Sequence, residues 1–487
     1  MTKSMSTEAI SAAVFIRDYT RELHSQNAAV FAGAGLSMDS GYVNWQGLLD
    51  EVIRDLGLDP AKEHDLVTIA QYHCNQAGGN RAHLTQAIFK HFAPQKNPTK
   101  SHRILARLPI RTYWTTNYDK LIEKSLEEAK KVPDVKYTEK QLTTTRLERD
   151  AVVYKMHGDI DHATEAVVSR DDYEEYPLKM EAFVWALRGD LVEKTFLFLG
   201  FSFTDPNIDY ILSRVRVQYG SDQRPHYCVL RKVSRDKDES EGDFKYRELK
   251  QHYFIRDLKR FSILTVLVDE YADIPLLLER LAASYKRSSI LVSGAAEEYG
   301  AWKRADAEAF LHNLSYQLLM NGNRVISGFG LGVGSAVING ALAGLNDSGK
   351  SISEEHLVLR PFPQVSTGGK ELATQWTEYR TAMVDYAGIS IFVFGNKFNP
   401  KGELVPSNGM REEFELSRKA GVRLLPVGAT GYMAKELWNE MSKDLDAHHP
   451  NATISFKRYF ELLGDDSKSP AELLDLIRKA IFELQRA

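Results

Sequence analysis

The chain is poor in cysteine, has no long apolar run and carries no excess of basic charge. Its 487 residues include two cysteines, Cys74 and Cys228. They are far apart, with no second cysteine beside either, which excludes a disulfide framework and a four-cysteine zinc centre within one chain. No stretch reaches the roughly 18–20 apolar residues that a membrane helix needs. A formal net charge of −4 argues against a dedicated nucleic-acid binder, which has to neutralise phosphates. The opening segment, "MTKSMSTEAISAAVFIRDYTREL", interrupts its apolar stretch with charges. It predicts an amphipathic helix carrying Val14, Phe15 and Tyr19, not a secretory leader. The expected compartment is the cytoplasm, with neither membrane nor nucleic acid as partner.

What is present is the composition of an ordinary globular protein, 43% hydrophobic and 26% charged. The length exceeds what one core normally serves, so two domains are expected. Short runs rich in Val, Ile, Phe and Tyr recur through the first half: "AAVFAG", "TYWTTN", "AVVYKMHG", "TFLFLGFS", "HYCVL" and "SILTVLV". Helical patterns separate them, as in "NWQGLLDEVIRDL", where Trp45, Leu48, Leu49, Val52 and Ile53 share one face. Continuous apolar strands between helices predict a parallel sheet covered on both sides. The charged segment 232–251 reads as a solvated insertion before the last strand. The alternation restarts at "SSILVSG" and continues through "RVISGFG", "EHLVLRPFP", "GISIFVFG" and "VRLLPVGAT". The expected architecture is α/β, two Rossmann-like parallel-sheet domains in series, 1–285 and 286–487.

In such sheets ligands bind beyond the carboxyl ends of the strands. Four segments of the first domain fall there: Gly33-Ala34-Gly35-Leu36-Ser37, Thr116-Asn117-Tyr118-Asp119, His157-Gly158-Asp159 and Gly200-Phe201-Ser202. Glycine lets a pyrophosphate approach the backbone, but a lone GxG pair is equally a tight strand–helix turn. Asn117 alone reads as a helix cap, and Asp119 as an acid favoured by the helix dipole. In the second domain, "SGFGLGVGSAVINGAL" is a strand, a glycine-rich loop and a helix, a suitable phosphate cradle. Its glycines are Gly328, Gly330 and Gly332, and Ser293 and Gly294 end the first strand of the domain, where a nucleotide would start. Arg380 and Lys397 offer charge for a diphosphate, and Glu412 opens a helix or takes ribose hydroxyls.

Taken together, the first four segments resemble the sirtuin family, whose GAGxS, T-x-N-x-D, HG and G-x-S motifs stand here in the same order. The resemblance implies NAD binding and cleavage of the nicotinamide–ribose bond. Gly33, Ala34, Gly35 and Ser37 would line the phosphate and ribose pocket, and Asn117 would orient the ribose or a water. Asp119 would lie near the nicotinamide, His157 would be the general base, and Gly200 and Ser202 would meet the adenosine. Deacylating sirtuins carry paired CxxC motifs between HG and G-x-S; here that stretch has no cysteine. After Gly41 the chain reads "YVNW" where the family has I-P-x-F-R. These departures imply water as the acceptor, no metal, and NAD as substrate with no separate cofactor. A peptide-dependent deacylase and a non-catalytic nucleotide sensor are the alternatives.

The second domain resembles the SLOG superfamily, with "GFGLGVG" and "SNGMREEF" in place of its glycine-rich and acidic motifs. Ser293, Gly294, Gly328, Gly330, Gly332, Arg380, Lys397 and Glu412 are the expected signal-binding residues. A zinc-free sirtuin-like domain followed by SLOG is similar to the effectors of bacterial Thoeris antiphage defence. That similarity implies a homo-oligomeric NADase, tetrameric or larger, activated by a cyclic ADP-ribose made by a TIR-domain partner protein.

Overall fold

A computed structural model of the chain describes residues 8–366, 369 and 371–486. The first seven residues of the opening segment lie outside the described residues. The chain divides into two compact units, Met1–Ala282 and Ala283–Ala487.

The first unit is built on seven parallel strands: β1 (Ala28–Ala32), β2 (Thr112–Thr115), β3 (Pro133–Lys136), β4 (Ala151–Lys155), β5 (Thr195–Leu199), β6 (His226–Arg231) and β7 (Ile263–Val268). Their order across the sheet is β3-β4-β2-β1-β5-β6-β7. Every residue of β1 and of β5 is buried, as strands covered on both faces require. The chain moves one way from β1 and returns on its other side at β5, so the switch point lies between these two strands. Helix α1 (Ala12–His24) is capped by Ser11 and buries Phe15, Ile16, Tyr19 and Leu23. Between β1 and β2 stand α2 (Trp45–Asp55), α3 (Leu66–Gln76) and α4 (Ala82–Phe92). Leu48, Leu49, Val52, Ile53, Ile69, Leu84 and Ile88 make their shared core.

Strand β3 was not legible as an apolar run. It is a short edge strand that opens on proline, and its Asp134 and Lys136 form a buried ion pair of 2.8 Å. The charged segment before β7 is largely a helix, Glu241–Leu258, which buries only Ile255 and Leu258.

The second unit has β8 (Ser289–Ala295), β9 (Arg324–Ser327), β10 (Leu357–Leu359), β11 (Ile389–Phe394), a two-stranded hairpin of β12 (Asn396–Phe398) and β13 (Leu404–Pro406), and β14 (Arg423–Pro426). Its main sheet is parallel, in the order β10-β9-β8-β11-β14, with the switch point between β8 and β11. All six residues of β11 are buried.

Burial holds His226 down to about 3 and His102 down to about 4, with a neighbouring arginine adding to each shift. Both therefore fold as neutral rings, and the His226 Nδ1 accepts the Phe196 N–H of β5 at 3.1 Å. Unfolded, each would titrate near 6.5. Their contribution is complete above that pH and is lost as the pH falls toward the folded values. The urea midpoint is expected to drop between pH 7 and pH 4.5; a flat profile would contradict this.

Candidate active site

Strand register brings the sites of the first unit together. Ala32 pairs with Thr115 on one side and Leu199 on the other, and Thr115 pairs with Lys155. The residues that follow these four leave the sheet along one edge. The loops after β1, β2, β4 and β5 therefore meet there.

Gly33 and Gly35 donate their N–H groups to Leu199 O and Gly200 O, each at 2.9 Å. A Cβ on Gly33 would stand 2.4 Å from Gly200 O, and one on Gly35 would stand 2.8 Å from Gly200 Cα. Gly200 has φ +63°, and its own Cβ would fall 2.1 Å from Leu36 N. These three glycines let two backbones touch. The amides of Gly33 and Gly35 are spent on that contact, and the side chains around them carry the chemistry.

Asn117 does not cap the helix that follows, which begins at Leu121 after Lys120. Its Nδ2 instead donates to Gly33 O and Ser37 Oγ, both at 3.1 Å. Thr115 Oγ1 fixes the turn by donating to Ala32 O at 2.9 Å and accepting Asn117 N–H at 3.0 Å. The amide oxygen of Asn117 is left to receive a hydrogen bond. Asp119 does serve the helix start, accepting Leu121 N–H at 2.9 Å through Oδ1. Its Oδ2 is buried without a partner, and burial raises its pKa despite nearby Lys155. A crevice of about 10 Å³ runs past Ala34, Ser37, Trp45, Leu48, Asn117 and Asp119; that is room for about one water.

His157 is buried, with Nε2 3.1 Å from Asp205 Oδ2. Neither ring nitrogen makes an aligned hydrogen bond: Nδ1 meets no partner, and Nε2 approaches Asp205 at ion-pair distance. Asp205 also accepts Tyr173 OH at 3.0 Å and caps the helix Pro206–Tyr219 through Ile208 N–H. Burial opposes its charge, but His157 and these donors outweigh that and hold its pKa below the usual value. The rings of Trp45 and Tyr173 stand 6.4 and 5.4 Å from the His157 ring. Trp45 thus walls the crevice beside Asn117 and also reaches His157. Ser202 is exposed, and its hydroxyl pairs with Thr204 at 2.7 Å.

Asp205, Trp45, Tyr173 and Lys155 were not anticipated. Asp205 carries a readable sign, an Asp-Pro helix start just after the G-x-S segment. Lys155 carries another, a cation inside an apolar strand with an acid four residues on. It is fully buried, and its Nζ reaches Tyr118 O at 3.1 Å, Asp119 O at 2.6 Å, Glu123 Oε1 at 3.0 Å and Asp159 Oδ2. Burial disfavours its charge, but Glu123, Asp159 and Asp119 outweigh that and raise its pKa.

In the second unit, a Cβ on Gly330 would stand 2.0 Å from Gly294 O, and one on Gly332 would stand 1.9 Å from Ala296 O. The glycine-rich loop is thus pressed onto the end of β8 before the helix Gly334–Asp347. Gly294 itself packs against β11, where a Cβ would be 2.8 Å from Val393 O; at Gly328 one would meet Phe362 and Met383. Ser293 Oγ donates to Glu413 Oε2 at 2.5 Å. Arg380 pairs with Glu412 at 2.7 Å, approaches Glu413 at 3.6 Å and lies over the Phe362 ring at 5.0 Å. Burial raises the pKa of Glu413 against the pull of Ser293 and Arg380. Ser293, Arg380 and Glu412 are therefore gathered around Glu413. Lys397 is exposed on β12, and no hydrogen bond or ion pair joins it to that group among the described residues. A larger cavity of about 220 Å³ lies elsewhere, between the helices Arg304–Met320 and Pro470–Arg486.

The arrangement is that of a SIR2-like unit followed by a SLOG unit. The SIR2-like domain family matches residues 111–257 and the Sir2- and TIR-associating SLOG family matches residues 273–484. The first match starts after Gly33–Ser37, so that loop joins the site through the structure alone. A protein named NAD(+) hydrolase ThsA from Bacillus cereus (strain MSX-D12) is 50% identical over 464 residues, 95% of this chain and 96% of that one. Another of that name, from Acinetobacter baumannii (strain 532279), is 43% identical over 96% of this chain and 98% of its own. A Bacillus subtilis protein named Defense-associated sirtuin 2 is 27% identical over 44% of this chain and 22% of its own. The chain belongs to the ThsA family.

Lys155→Met is expected to cost about 3–5 kcal/mol, because it strands buried carboxylates without their cation. Denaturant unfolding monitored by circular dichroism checks this, and an unchanged midpoint would contradict it.

Proposed function

We propose that the chain is an NAD+ hydrolase whose first unit cleaves the nicotinamide–ribose bond at the crevice beside Asn117. A cyclic ADP-ribose isomer bound in the second unit switches it on. The observation that carries the first part is that Trp45 borders both the Asn117 amide, tied to Gly33 and Ser37, and the ring of His157 beside Asp205.

In this reading NAD+ enters along the loops after β1 and β5, with Gly33, Ala34, Gly35, Ser37 and Gly200 lining its path and Ser202 at the rim. Asn117 Oδ1 accepts a hydrogen bond from the attacking water or a ribose hydroxyl. Asp205 orients His157 from the Nε2 side, and the Nδ1 lone pair is the one that would take a proton from water. As the carbon–nitrogen bond breaks, its electron pair passes to the pyridinium nitrogen and neutral nicotinamide departs. Water oxygen bonds to the ribose C1′, giving ADP-ribose and one released proton. Asp119 contacts the nicotinamide end through its unpartnered Oδ2. None of these steps calls for a metal.

The crevice beside Asn117 is narrow, and in this reading the wall carrying Trp45 and Leu48 moves aside to admit NAD+. Such a wall suits an enzyme held off by default. A signal can release it only by binding the open arrangement more tightly than the closed one. The signal's diphosphate would draw Arg380 from Glu412, Lys397 would close from β12, and Glu412 would turn to ribose hydroxyls. Gly328, Gly330, Gly332, Ser293 and Gly294 would line its seat. A TIR-domain partner supplies the signal to a homo-oligomer of this chain in the cytoplasm, as in Thoeris antiphage defence. Depletion of NAD+ then leaves the infected cell unable to support phage.

Asn117→Ala and His157→Ala are each expected to lower nicotinamide release by about a hundredfold or more, with the circular dichroism spectrum retained. Full activity in either variant would remove that residue from the mechanism. Arg380→Ala is expected to abolish the response of nicotinamide release to added cyclic ADP-ribose. An unchanged dose response would place the signal elsewhere.

A further inference from the structure

Three helices of the first unit end or turn at one spot away from the crevice. Asp55 is the last residue of α2, His73 lies in the last turn of α3, and His83 lies in the first turn of α4. One ligand atom from each falls within 4.8 Å of the other two. His83 Nδ1 is 3.9 Å from Asp55 Oδ2, and the two imidazole rings are 5.4 Å apart. His83 and Asp55 are exposed, as members of a surface ion pair usually are. His73 is different. It is 7% exposed, and its Nδ1 is buried without a hydrogen-bond partner. An ion pair between the other two leaves that nitrogen unexplained, at a cost that buried polar atoms normally avoid.

We propose that Asp55, His73 and His83 form a binding site for a divalent transition metal of the Zn2+ or Co2+ type. Two imidazoles and one carboxylate are a nitrogen-rich set that suits these ions and not the oxygen-seeking Mg2+ or Ca2+. Ligand bonds of about 2.0–2.2 Å require the three atoms to draw closer together. The exposed side chains of His83 and Asp55 are free to swing toward the fixed His73. Water completes the shell. Burial and the adjacent His83 lower the His73 pKa against the opposing pull of Asp55.

The site has a mechanical consequence. Helix α2 begins at Trp45, in the wall of the crevice, and ends at Asp55. A metal bound there would fasten the far end of that helix to α3 and α4.

The test uses the untagged, full-length chain after treatment with EDTA. Zn2+ is titrated by calorimetry and Co2+ by visible absorption, alongside His83→Ala and Asp55→Ala, both altered only at exposed side chains. The expected result is one saturable equivalent per chain, with affinity weakened tenfold or more in each variant and the metal-free melting temperatures unchanged. Absence of saturable binding to the unaltered chain, or affinity in either variant equal to that of the unaltered chain, would overturn the proposal.

Discussion

The buried ammonium of Lys155 ties together two loops that share no sequence continuity. It holds the carbonyls of Tyr118 and Asp119 on one side and the Asp159 carboxylate on the other. Asn117 and His157 sit at the mouths of those same two loops. Three carboxyl groups, from Glu123, Asp159 and Asp119, influence one cation. That imbalance explains why burial wins at Asp119 and Glu123 and raises both pKa values. An ion cluster of this kind is a poor source of net stability but leaves its loops few alternative arrangements. The loops that carry Asn117 and His157 are both tied to it.

The two glycine-rich loops follow a common rule. In each unit, the loop after one strand is pressed against the end of a neighbour so closely that a Cβ on the loop's glycines would collide. In the first unit the contact is between Gly33, Gly35 and Gly200; in the second it is between Gly330, Gly332 and the 294–296 segment. Glycine there is a packing requirement first. The close contact lines up side chains beyond it, Asn117 in one unit and Ser293 in the other, and those side chains have the polar reach that a nucleotide needs.

Apolar runs marked every strand of both large sheets except β3, because strands buried on two faces must be continuously apolar. At β3 the burial is achieved by an ion pair, which hydrophobicity does not reveal. The residues aligned by motif, Asn117 and His157 among them, converge as expected because parallel register carries their strands to one edge. What escaped were residues whose work depends on a distant partner. Asp205 looks like a helix cap and is one, while also facing His157. Trp45 looked like a core residue of an amphipathic helix, yet it lines the crevice. The tail "YVNW" was informative as a missing peptide groove; folded, it supplies the pocket wall through Val43 and Trp45 and the helix cap through Asn44.

The central claim is that water, with no peptide present, accepts the ribosyl group. Chromatography of the products formed by the pure full-length chain from NAD+, with cyclic ADP-ribose isomers added one at a time, tests it most directly. Nicotinamide and ADP-ribose in equal amounts are expected with an activating isomer and no acylated peptide. Nicotinamide release that appears only when an acylated peptide is supplied would contradict it.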